Sequence, residues 1–116
     1  MIPKAFASAV MREVIDENLS IYRDLFSKTP ASEASDPYWC RALTLFDSLT
    51  EEQRFVLFEI MRQVSVDTAS NILGVLDGVN TIEGGEAGFT LLSATGQKLN
   101  GDLQSLFLEE DESTPR

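Results

Sequence analysis

Catalysis and metal binding need side chains that exchange protons, attack electrophiles or hold ions, and this chain offers few. It contains no histidine, so nothing titrates near neutral pH by default, and no Cys/His set can enclose zinc. Its one cysteine, Cys40, would act as a nucleophile only beside another base; a small buried side chain on a helix is the expectation. Gly84-Gly85-Glu86-Ala87-Gly88 lacks both the spacing and the following helix of a phosphate-cradling or dinucleotide loop. Carboxylates remain, but Glu109 to Glu112 are consecutive, and a charge block without spaced ligands makes a solvated tail rather than an ion cage. No catalytic residue, cofactor or metal is expected.

Recognition is the other chemistry within reach, and three groups of residues could supply it. On a helical wheel Glu59, Gln63, Asp67, Ser70, Asn71 and Gly74 fall within about 120° of one another, a polar strip on an otherwise apolar segment. Glycine there costs about 1 kcal/mol of helix stability relative to alanine, which predicts close approach of a ligand or another backbone at Gly74. The strip reads as a recognition surface centred on Asp67 and Asn71. Its plainer account is a solvent-facing side, or internal hydrogen bonds to the glycine-rich loop. Tyr38 is a candidate aromatic anchor, whereas Trp39, spaced with Leu43 and Phe46, is expected in the core. Glu83 and Glu86 lie in a glycine-rich segment and could meet a basic partner.

Charge narrows the partner. Of a formal −10, residues 1–30 contribute four basic against four acidic side chains, 31–62 three against six, and 63–116 two against nine. A negative field repels phosphate backbones, so nucleic-acid binding is not expected; a basic protein would be steered toward the second half. Lys4, Arg12 and Glu13 interrupt the apolar N-terminus, and no stretch approaches membrane-spanning length. With one cysteine no intrachain disulfide can form, and a cytoplasmic location is expected.

These residues must be carried by helices. The sequence predicts a mainly α domain over 1–116, with a central long helix and a short C-terminal β-hairpin region. Pro3 opens a helix of about 3–28 whose apolar residues cover roughly 220° of the wheel, twice the stripe of a helix packed on one face. It therefore needs two partners, the second being either another helix of the same chain or a second copy of the chain in a homodimer. Pro30 ends it, and Asp36-Pro37 starts a helix over about 37–48. Thr50-Glu51-Glu52-Gln53 is a capping box for a helix over 51–76, stopped by Asp77-Gly78. Apolar residues nearly encircle that helix, which is expected to be central and buried. All seven glycines lie at or after Gly74. A loop from Val79 then leads to a hairpin of Phe89–Leu92 with Lys98-Leu99, within a loop region of 79–100. Asn100 or Asp102 could cap a last helix over 102–110, ahead of a frayed tail.

Val66-Asp67-Thr68 with Leu73 to Gly78, and Leu99 to Phe107, resemble stretches of small uncharacterised bacterial proteins, some of which look like immunity proteins that neutralise a cognate toxin. The resemblance covers about a third of the chain, carries no functional residue over, and implies a bacterial origin. The leading expectation is an acidic protein-binding module, most concretely an immunity-type inhibitor of a basic toxin. A self-associating helical protein is the second reading. A small-ligand or divalent-cation binder using Asp67 and Asn71 is the third.

Overall fold

The computed structural model describes residues 1–114; Pro115 and Arg116, the end of the expected tail, lie outside them. Five α-helices dominate: α1 (Pro3–Ala9), α2 (Glu17–Lys28), α3 (Pro37–Ser48), α4 (Glu51–Asp77) and α5 (Leu103–Ser113). A π-helical stretch, Val10–Asp16, joins α1 to α2 without a break, so the expected first helix is continuous but changes pitch. A 3-10 turn at Ala31–Glu33 precedes α3. Asp36 accepts from the Tyr38 N–H, and the Thr50 and Gln53 side chains close a reciprocal capping box on α4, as their sequence signals predict.

The π stretch solves a problem of register. Ala7, Met11, Ile15 and Leu19 are all buried, one every fourth residue. Four residues overshoot an α-turn by about 40° but fall short of a π-turn, whose bonds span five residues. Alternating the two pitches keeps the stripe straight along one groove. The Glu17 N–H donating to the Arg12 carbonyl is one of these wide bonds.

Two small cores sit at opposite ends of α4. One packs Ala7, Met11 and Ile15 against Val66 and Leu73 of α4 and Leu103 and Phe107 of α5. The other contains Leu19, Phe46 and Phe58, with Phe26, Leu57 and Met61 around them. Phe26 stacks on Phe46 at 4.9 Å between centroids and meets Trp39 at 5.3 Å, which places Trp39 against the aromatic core as expected. Arg54 lies over the Phe46 ring and donates to the Phe46 carbonyl at 3.0 Å, fastening the end of α3 to α4. The molecule is drawn out to 49 × 33 × 24 Å, with a radius of gyration of 17.6 Å against about 13 Å for a compact domain of similar length.

Three expectations are corrected. The β-hairpin is absent: among the described residues it shrinks to one antiparallel bridge between Leu92 and Lys98. The ladder cannot extend because the Leu91 N–H and the Phe89 carbonyl both bind the Asn100 side chain instead. Neither Asn100 nor Asp102 caps α5. Asp102 lies at φ −126°, ψ 20° and makes no cap bond, while the Asp77 carboxylate accepts from the Gly101 and Gln104 N–H groups at 2.7 and 2.8 Å. A negative group from the end of α4 thus satisfies the positive end of α5. The expected tail at Glu109–Glu112 is helical, because α5 runs on to Ser113 and Asp111 pairs with Arg62 at 2.7 Å.

Arg62 stands between the two cores. Besides Asp111 it approaches Asp16 at 3.7 Å and the Met11 sulfur at 3.6 Å. Arg62 and Asp111 side chains are only 18% and 11% exposed, and taking one charge from a largely buried pair strands the other. Arg62→Ala is expected to cost about 3 kcal/mol in urea denaturation. The double variant Arg62→Met/Asp111→Leu should cost clearly less than Arg62→Ala. Losses that simply add would mean the pair is not coupled.

Candidate functional site

Of the residues singled out in the polar strip, two belong to an internal seam. Ser70 and Gly74 are buried, and the Gln104 amide donates to the Ser70 carbonyl and hydroxyl at 3.1 and 3.2 Å. A β-carbon on Gly74 would stand 2.6 Å from the Asn80 amide nitrogen and 2.8 Å from that of Gln104. The close approach predicted from this glycine is real, but its partners are side chains of the same chain. Gly74 is therefore a packing residue and not a surface for a partner. Its carbonyl also accepts from the Val79 and Asn80 N–H groups where Gly78, at φ 82°, turns the chain out of α4.

Glu59, Gln63, Asp67 and Asn71 remain exposed. The Gln63 amide donates to Asp67 at 2.9 Å, and the Asn71 carbonyl accepts from Asn80 at 3.4 Å. Glu59 and Gln63 line a cleft of about 370 Å³ with Asp16, Arg23, Phe55 and Arg62. Its arginines are already engaged: Arg62 by two aspartates, Arg23 by lying over the Phe58 ring at 5.4 Å. Glu83 and Glu86 are exposed on the loop after α4. The N–H of Glu86 itself and that of Gly84 hold the Glu86 carboxyl below the usual carboxylate range. Among the described residues no three His, Cys, Asp or Glu side chains converge as metal ligands, and no helix is long and apolar enough to cross a membrane. Cys40 directs its thiol to the Ala31 and Ala34 carbonyls.

Tyr38 belongs to a different surface, and that surface is the most unusual feature of the molecule. It is 62% exposed and shares a depression with Tyr22, Phe26, Leu45, Leu57 and Met61. A second depression continues from Leu45 and Leu57 over Val56 to Ile60, and a third from Ile60 and Met61 to Val64, returning to Tyr22. These join into one apolar face built by α2, α3 and the first half of α4. Tyr22, Tyr38, Leu45, Val56, Ile60 and Val64 are all exposed on it. The second core lies beneath, with Phe26, Leu57 and Met61 shared between it and this face. A run of exposed apolar side chains this extensive is the kind of patch on which protein–protein contacts form.

Of the residues on this face, the sequence singles out Tyr38 alone. Val56, Ile60 and Val64 recur every fourth residue, and that signal was readable. It was masked because α4 is apolar nearly all round, which reads as burial on every side; the structure shows burial changing sides halfway along instead. The broad arc of the first helix has the same resolution. Its first half lies between α4 and α5, so one second partner is internal, whereas Val14, Ile21, Tyr22 and Leu25 stay exposed.

The Gly74 seam is testable. Gly74→Leu is expected to cost about 2 kcal/mol in urea denaturation, as overpacking of a closed contact does, although leucine is the better helix former. In an Asn80→Ala/Gln104→Ala background the cost should fall by at least half, since both obstructing amides are gone. An unchanged midpoint for Gly74→Leu would mean that the seam opens freely.

Comparison of the chain with protein-family models, with curated proteins and with solved structures gave no match.

Proposed function

We propose that this chain is a non-catalytic protein-binding module of the bacterial cytoplasm, and that the apolar face of α2, α3 and α4 is its docking surface. The observation that carries the reading is the continuity of that face, with Tyr38 and Ile60 standing 62% and 55% exposed at the two ends of its middle. Aromatic anchors beside aliphatic side chains are the composition of energetically dominant interface centres. The non-catalytic part is supported by the lack of histidine and by a single thiol that faces backbone carbonyls. The bacterial and cytoplasmic parts rest on the resemblance of two stretches and on the lone cysteine.

The narrower form, an immunity-type inhibitor occupying a basic site on a toxin, is supported by a separate feature. The nine acidic side chains of residues 63–116 include Asp67, Glu83 and Glu86. All three are exposed, and none is ion-paired among the described residues. Exposed carboxylates of this kind speed encounter with a basic surface.

A photoreactive residue placed at Tyr38 or at Ile60, in cells that produce the chain, tests the docking surface. The expected result is a crosslink to a polypeptide at both positions, lost when Leu45→Glu puts a charge between them. The same probe at Glu109 on α5 should give little. Absence of any polypeptide adduct at both positions would overturn the reading.

A further inference from the structure

We propose that the occupant of the apolar face is a second copy of this chain, packed with its α4 antiparallel to the first and with the two-fold axis beside Ile60. The inference rests on the docking surface proposed above and names its partner.

The stripe is symmetric about its centre. Val56 lies four residues before Ile60 and Val64 four residues after it, and all three are exposed. Reversing one helix upon another at Ile60 therefore sets Val56 of each copy against Val64 of the other, with Ile60 meeting itself. A two-fold interface demands this self-complementarity. The next residues out on that line, seven from the centre, are Gln53 and Asp67. Antiparallel packing brings an amide to a carboxylate, whereas parallel packing would bring Asp67 onto Asp67.

Area points the same way. The chain exposes 7784 Å², whereas a folded monomer of its mass exposes about 6,300 Å². The excess, roughly 1,500 Å², is nearly twice what one side of a standard interface removes, about 800 Å². A second copy would also cover Leu45, Val56 and Val64, which stand exposed beside the buried core of Leu19, Phe46 and Phe58. Net charge sets the sign of the salt response. Two chains of −10 repel, so the association must be apolar and must strengthen as salt screens the repulsion. A basic partner would weaken with salt instead.

Sedimentation of the full chain across micromolar concentrations, at about 0.1 M and about 1 M salt, is the first measurement. A dimer is expected whose dissociation constant falls severalfold at the higher salt, and Ile60→Glu should weaken it by at least a hundredfold with the helical circular dichroism retained. Register is read in a Cys40→Ser background: Ile60→Cys should form an intermolecular disulfide on mild oxidation, and Val14→Cys, exposed but outside the face, should not. A monomer under all conditions overturns the proposal, as does a disulfide favoured at Val14→Cys, or a dimer that salt weakens. If the Ile60 probe in cells captures only a different protein, the docking surface stands and the second copy is wrong. If it captures nothing, both fail.

Discussion

The fold depends on one guanidinium. Arg62 lies midway along α4, at the point where the helix stops packing on α2 and α3 and begins packing on α1 and α5. Its contacts reach Asp16 and Met11 on the π-helical stretch and Asp111 on α5. In an ideal α-helix residues 11 and 16 would point about 140° apart. The wider π-turn draws them toward the same face, so both can meet one arginine. The π stretch is therefore tied to two needs at once, a straight line of buried side chains and a shared grip on Arg62. Neither core is large, and a polar clasp between them fixes the angle at which the two halves of the molecule meet.

A second clasp closes the other end. Asp77, the last residue of α4, satisfies the first N–H groups of α5, while Asn100 donates to the Leu76 and Phe89 carbonyls and accepts from Leu91. The long loop after α4 is thereby fastened by side-chain amides and a carboxylate rather than by a strand ladder. This explains why Gly74 must be small: Gln104 crosses α4 there on its way to Ser70. The glycine signals a closed internal contact, and the polar strip that looked uniform on a wheel divides into a buried seam and an exposed remainder.

Local signals in the sequence carry well. Asp36-Pro37, the Thr50–Gln53 box and Asp77-Gly78 set helix ends within a residue or two, because each is satisfied by atoms a few residues away. What sequence does not carry is any feature whose partner lies far along the chain. Asp111 looks like part of a charged tail until Arg62, 49 residues earlier, holds it. Asp77 looks like a helix stop until α5 presents its free N–H groups. Leu91 and Lys98 look like hairpin strands until Asn100 takes the bonds a ladder would use. The π stretch leaves no mark in composition at all; only the fourth-residue spacing of Ala7, Met11, Ile15 and Leu19 hints that a plain α-helix would carry the stripe out of its groove.

The apolar face and the acidic charge look contradictory but, under the proposed docking role, serve one end. A chain that leaves Tyr38, Leu45, Val56, Ile60 and Val64 exposed would aggregate through any apolar neighbour it met. Surplus negative charge keeps such encounters brief, because repulsion acts over a Debye length of about 8 to 10 Å in physiological salt, while apolar contact acts only on touching. Only a partner that matches the face over its whole length gains enough burial to overcome that repulsion. Charge therefore sets the threshold and shape sets the choice. The apolar face is itself nearly free of charge, with Arg41, Glu52 and Asp67 at its margins, so closing it leaves these ions at the rim rather than in the interior.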